Sequence, residues 1–183
     1  MRTLAVTQNI TVDGIIEMRG DWFDPQAQDD ELLAEVRRQD ESTDALLLGR
    51  QTFEDFRSYW PHATDDRTGI AAQLDTVQKH VVSSTLTEAG WQNTTILSGD
   101  GADLARELKE TPGGDIVVTG SITLTHALVA AGLVDEYRLF VYPVVQGAGR
   151  PLFPESTPTT RLELRDLRRF RSGVALAVYA PAA

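Results

Sequence analysis

The residues Gly49-Arg50-Gln51-Thr52 follow directly on the apolar run Ala45 to Leu48 and lead into Phe53, Phe56 and Trp60, which recur at helical spacing. A buried strand that ends in glycine and enters a helix presents free backbone N–H groups and the positive end of the helix dipole, a natural seat for phosphate. Arg50 adds a permanent cation there and Thr52 a hydroxyl one turn in. The same residues also suit an ordinary corner, with Gly49 turning the chain and Arg50 solvated, and the local sequence leaves both readings open. A second corner, Gly120-Ser121-Ile122-Thr123 after "DIVVT", offers the same chemistry without a cation. Ser83 and Ser84 supply two hydroxyls at the end of a third apolar run, "HVV". Adjacent strand ends of this kind would grip a pyrophosphate from both sides. Neither G-x-G-x-x-G after the first strand nor G-x-x-x-x-G-K-[ST] occurs.

Other chemistries are poorly supplied. The chain has no cysteine, which excludes disulfides, cysteine zinc sites and thiol nucleophiles. His62, His80 and His126 show no metal-ligand spacing, so no metal is expected and all three read as structural. A net charge of -10 argues against nucleic acid or an anionic membrane as partner, although a local positive site for a small anion is compatible with it. The N-terminus reads as a first strand, no apolar run is long enough to span a bilayer, and a cytoplasmic location is expected.

These corners need a sheet to hold them. At 183 residues, 42% of them hydrophobic, the chain fits one α/β domain spanning 1–183. Leu4 and Val6 alternate with polar neighbours in a first strand that stops at Asp13-Gly14. Trp22 and Phe23 lie in a loop rich in turn formers, and Asp29 or Asp30 can cap a helix with Leu32, Leu33 and Val36 on one face. Pro61 stops the helix after the first corner. "ATDDRTGIAAQLDTVQ" reads as a polar surface excursion, followed by strands at "KHVVSST" and "TTILSGD" and a helix at "ADLARELKE". Ser121 suits the N-cap, and Gly132 the left-handed stop, of the helix after the second corner. "VDEYRLFVYPVV" reads as a long strand, and the last two segments meet at Ser172-Gly173 as an antiparallel hairpin.

Taken in order, "VDG", "DALLLGRQTFEDF", "VVSS", "VVTGSITLTHALVAAGLVDEYRLFVYPVV" and "GAGRPLF" resemble the dihydrofolate reductase-like fold, and more closely the reductase domain of bacterial riboflavin biosynthesis and its stand-alone relatives. The resemblance implies a central, mostly parallel sheet flanked by helices, with the C-terminal hairpin at its edge. It implies an enzyme, a reductase using NADPH to pass a hydride to a small heterocyclic substrate, pterin- or aminopyrimidine-like. Gly49, Arg50, Thr52, Gly120, Ser121, Ile122 and Thr123 would hold the diphosphate, with Ser83 and Ser84 at the 2′-phosphate and adenosine end. A homodimer is implied in the same way.

Within that frame, Asp13 is the candidate polar catalytic group near the nicotinamide, and a turn aspartate otherwise. Trp22, Phe23 and Trp60, with Tyr59, would wall a flat substrate. The Gln146 to Arg150 loop is either a turn beside cofactor or substrate or a plain glycine turn. A folate reductase carries an acid on its first helix facing the pterin. Here that face is Leu32, Leu33 and Val36, with Glu31 and Glu35 directed to solvent, which argues against a true folate reductase. The lack of an obvious acid motivates the alternative, an NADPH-binding protein of the same fold without efficient turnover.

Overall fold

A computed structural model describes residues 1–182. Eight strands form one sheet: β1 (Leu4–Thr11), β2 (Thr43–Gly49), β3 (Gln78–Val82), β4 (Thr94–Leu97), β5 (Asp115–Thr119), β6 (Glu136–Tyr142), β7 (Leu162–Arg169) and β8 (Ala175–Pro181), in the order β4-β3-β2-β5-β1-β6-β8-β7. Strands β1 to β6 are mutually parallel, and β8 and β7 extend the sheet antiparallel at its edge. This is the dihydrofolate reductase-like α/β fold. Five helices connect the strands: α1 (Asp30–Asp40), α2 (Arg50–Tyr59), α3 (Ile70–Thr76), α4 (Gly101–Glu110) and α5 (Ile122–Ala130).

Alternation along the strands decides which side chains meet which helices. Leu4, Val6, Leu47, Ile116 and Val118 face one side and pack with Ala105 of α4 and Leu128 of α5. Ala5, Leu46, Leu48 and Val117 face the other side with Phe53 of α2, Trp60 and Leu74 of α3. Phe53 is fully buried, and burial of a side chain that size contributes about 2–3 kcal/mol. Helix α1 covers the same face further along, where Leu32 packs with Phe140, Tyr142 and Leu176.

Three expectations change. The "polar excursion" contains α3, started by Asp66, which accepts the Ala71 N–H at 2.9 Å, and held by Leu74, which is buried in the core. Strand β6 ends at Tyr142 because Pro143 has no N–H to continue the ladder. Glu35 is not directed to solvent: it is 4% exposed and bonds to Arg38, Gln39 and Arg168. Burial pushes its carboxyl up, but those donors more than offset it and hold it below the usual range. The reason is tertiary, since Arg168 reaches it from β7.

Candidate functional site

Strands β2, β5 and β1 lie side by side, so their carboxyl ends share one crevice between α1, α2 and α3 on one face and α4 and α5 on the other. A cavity of about 780 Å³ opens there. Gly49, Arg50, Thr52, Gly120, Ser121, Ile122 and Thr123 all line it.

The two glycine corners are stitched to each other. Ser121 Oγ accepts the Gly49 N–H at 3.0 Å, and Thr52 Oγ1 accepts the Ser121 N–H at 2.8 Å. Each hydroxyl accepts in this arrangement and keeps its own proton to donate. Ser121 is therefore at the cap position of α5 without capping it: its side chain reaches across to β2 instead. Its backbone is left-handed, at φ 41°, directly after Gly120 at φ 55°. A non-glycine residue held in that region stores strain. The Gly120 carbonyl is fixed from behind by Gln8 Nε2 at 2.8 Å. A Cβ on Gly120 would stand 3.0 Å from Thr52 Cγ2, so a side chain at position 120 would be crowded by Thr52 as well as strained by the positive φ. A Cβ on Gly49 would meet only Ser121, at 3.8 Å, so the protein's own packing does not demand glycine there.

Helix α2 likewise has no side-chain cap, and neither α2 nor α5 has an acidic residue in its first turn. The first-turn N–H groups of both helices are thus left for a ligand. Arg50 is half-exposed and pairs with Glu54 one turn on, at 2.7 Å. An exposed pair of this kind contributes little and exchanges readily for another anion.

Ser83 and Ser84 lie beyond the end of β3, and Val82 rather than either serine lines the cavity. Ser83 Oγ accepts the N–H groups of Thr85 and Leu86, closing a local turn, while Ser84 is exposed. Of the aromatic candidates, Phe23 and Trp60 line the cavity together with Phe56. Trp22 and Tyr59 do not: Trp22 packs on Tyr142, 5.2 Å between ring centroids, and its Nε1 donates to Gln146 Oε1 at 2.8 Å.

Asp13 serves a loop. Its carboxylate accepts from Thr11 Oγ1 at 2.6 Å and from the Gln146 and Gly147 N–H groups at 3.2 and 2.7 Å. The Thr11 hydroxyl, followed by the Gly147 N–H, lowers its pKa to about 2. A carboxylate held there is ionised at neutral pH and cannot donate a proton, and it does not line the cavity. Gln146 anchors the same loop: its side chain bonds the Arg19 N–H, the Glu17 and Ala148 carbonyls and Trp22. Arg150 at the loop's end does reach the cavity, paired with Glu17 at 3.0 Å. His126 bonds the Pro151 carbonyl, and among the described residues no cluster of acidic or histidine side chains could hold a metal.

Asp40 is among the cavity residues that the sequence reading did not single out. Asp40, the last residue of α1, lines the cavity, and burial alone pushes its carboxyl up to about 6. That it lies one turn beyond Val36 was visible in the sequence, since residues four apart share a helix face. Nothing in the sequence said that the end of α1 would reach the cavity.

Comparison with known proteins agrees with this architecture. The family model described as RibD C-terminal domain matches residues 2–176. The uncharacterized protein YyaP of Bacillus subtilis (strain 168) is 32% identical, over 97% of this chain and 94% of its own length. Among solved structures, a protein from Shewanella sp. PV-4 assigned to riboflavin biosynthesis superposes with a TM-score of 0.74 at 20% identity, covering 99% of both chains. The dihydrofolate reductase of Enterococcus faecalis, solved with NADP(H), superposes with a TM-score of 0.64 at 15% identity, covering 99% of this chain and 97% of the other.

Proposed function

The chain belongs to the RibD C-terminal domain family, and from that premise we propose that it is an NADPH-dependent reductase that transfers a hydride to a small heterocyclic, pterin- or aminopyrimidine-like substrate. The observation that carries the reading is the pair of uncapped helix N-termini, α2 and α5, stitched together at the mouth of one cavity. Their free N–H groups, the two spare hydroxyl protons of Thr52 and Ser121, and the guanidinium of Arg50 are a donor set suited to a diphosphate. When bound, NADPH supplies the hydride. The chain's own residues hold and orient: Gly49 leaves room for close approach, Gln8 fixes the Gly120 carbonyl, and the Phe23, Phe56 and Trp60 side chains exclude water from the deeper cavity. The proposal includes a homodimer acting in the cytoplasm, without nucleic acid or membrane. Among the described residues no helix is long and apolar enough to cross a membrane.

Calorimetric titration with NADPH, followed by loss of reduced-nicotinamide absorbance with a panel of pterins and aminopyrimidines, tests the reading. Binding and turnover of at least one acceptor are expected. Binding without any turnover would favour an NADPH-binding protein instead, and no binding at all would remove both. Arg50→Ala should weaken NADPH binding by about 1–3 kcal/mol, the usual loss for a charge-assisted hydrogen bond. Equal affinities in the same titration would take Arg50 out of the site.

A further inference from the structure

The cavity has two sides beyond its glycine corners. Val82, which ends β3, and Gly101, which starts α4, line one of them. Ile16, Glu17, Met18 and Arg150 line the other, on the segments that follow β1 and β6. In the sheet β6 lies three strands from β2, roughly 14 Å across the ladder. A cofactor whose diphosphate fills the corners and whose adenosine runs toward β3 leaves this second side to the nicotinamide and its acceptor.

Among the described residues, Arg50 and Arg150 are the cations that line the cavity, and they are tied very differently. Arg50 gives Glu54 one hydrogen bond, at 2.7 Å, beside the open end of α2. Arg150 is taken up from several directions by Glu17. Its Nε donates to Glu17 Oε1 at 3.0 Å, its Nη2 lies 3.0 Å from the same oxygen, and its backbone N–H donates to Oε2 at 3.1 Å. Arg19 Nη2 donates to Oε2 as well, at 2.9 Å. Burial pushes the Glu17 carboxyl up, but the bonds from Arg19 and Arg150 outweigh it and hold it below the usual range. It is therefore an anion at neutral pH.

The backbone under this pair is fixed too. Ile15 bridges Pro151, and the Ile16 and Glu17 N–H groups donate to the Arg150 carbonyl at 3.1 and 3.3 Å. Gln146 Nε2 holds the Glu17 carbonyl at 2.9 Å. Glu17 is thus not free to swing away with its segment. A phosphate reaching for Arg150 would meet the Glu17 carboxylate already on the guanidinium, and like charges that close repel. The open helix ends that could hold a second anion, those of α2 and α5, belong to the corners.

We infer that Glu17 is a specificity-determining residue: by occupying Arg150 it fits the acceptor side of the cavity to an uncharged, unphosphorylated heterocycle and turns away an acceptor that carries a phosphate. The assignment of this side to the acceptor rests on the reductase reading, whereas the neutralisation of Arg150 does not. Selectivity of this kind comes from a built-in repulsion as much as from an attraction.

Hydroxymethylpterin and its monophosphate ester are suitable probes, since they share one flat ring and differ by one phosphate group. Each is titrated calorimetrically into protein saturated with NADP+, whose own binding is read first. Wild type should bind the neutral compound at least about tenfold more tightly than the ester. Glu17→Gln keeps the shape of the side chain and frees the guanidinium, so the ratio should fall to about one or invert. The double variant Glu17→Gln/Arg150→Ala should return toward the wild-type preference, which a merely loosened loop would not do. Wild type that binds the ester as tightly as the neutral compound, or that binds neither, overturns the proposal. So does a ratio that Glu17→Gln leaves unmoved at an unchanged melting temperature, and the wild-type ratio decides alone where that variant does not fold. Failure of NADP+ to bind would remove the reductase reading only. The shift in ratio between wild type and Glu17→Gln, measured on the unliganded protein, would still report Glu17, because both carry the same Arg50 corner.

Discussion

Helices α1 and α4 begin in the opposite way from α2 and α5. In α1, Asp29 accepts the Leu32 N–H at 2.8 Å, and Asp30 and Glu31 follow in the first turn. In α4, Asp100 accepts the Ala102 and Asp103 N–H groups at 2.9 and 3.1 Å, and Asp103 adds charge to that turn. These ends are closed by the protein's own carboxylates, which complete the backbone hydrogen bonds and complement the dipole. Helices α2 and α5 have neither cap nor acid, and both open on the cavity. Leaving a helix end open forgoes roughly 1 kcal/mol of capping energy, so two such ends at one crevice point to a negatively charged occupant. Helix α1 shows the same contrast within itself. At its start burial raises the Asp29 carboxyl, but the Leu32 and Ser172 N–H groups outweigh that and hold it below the usual range. At its other end Asp40 has no such donors and is pushed to about 6.

The contrast is broken most directly by closing an open end. Gly49→Asp places a capping carboxylate at the start of α2, where backbone φ is -77° and a Cβ meets only Ser121. The fold should keep its stability in a denaturant titration. NADPH affinity should fall by about 3 kcal/mol, since an anion now occupies the donors. Unchanged affinity would mean that the phosphate does not sit at this end.

Gly120→Ala tests the other corner through its backbone. With φ at 55° and Thr52 at 3.0 Å, stability should drop by about 2 kcal/mol, read as a lower midpoint in urea. NADPH affinity should fall with it. The smallest effect is expected where an end is already closed. Asp100→Ala should cost about 1 kcal/mol of stability by losing a cap, and leave NADPH affinity where it was. A large loss of affinity there would erase the distinction between the two kinds of helix end.

Linkage at Asp40 gives the comparison a pH axis. A carboxyl group whose folded pKa is raised stabilises the fold below its unfolded value near 4, and that contribution is lost as pH rises through about 6. Wild type and Asp40→Asn should therefore differ least in melting temperature below about pH 4 and most above about pH 6.

Much of the site's mouth was legible because its signals are local. Glycine after an apolar run marks a corner, Pro61 and Gly132 mark helix ends, and alternation marks strands with their faces. Those signals located Gly49 to Thr52 and Gly120 to Thr123, which the fold brings together. They misled where a side chain serves a distant partner. Ser121 has the composition of an N-cap but spends its hydroxyl on Gly49, 72 residues away in the chain. Asp13 looks like a polar group at a strand end but holds the Gly147 N–H, 134 residues on. Trp22 looks like a substrate wall but is turned aside by Gln146 and Tyr142.

By itself the sequence determined the elements, the two glycine corners and the resemblance that suggests a nicotinamide cofactor, because backbone preference and burial pattern are written in neighbouring residues. The tertiary structure alone decided that β2 lies beside β5, and so that the two corners face one cavity. It also decided that Asp40, ending α1, lines that cavity while Glu35, five residues earlier, is drawn away to Arg168 of β7. Strand order and helix placement follow from the packing of the whole core, and no window of sequence contains them.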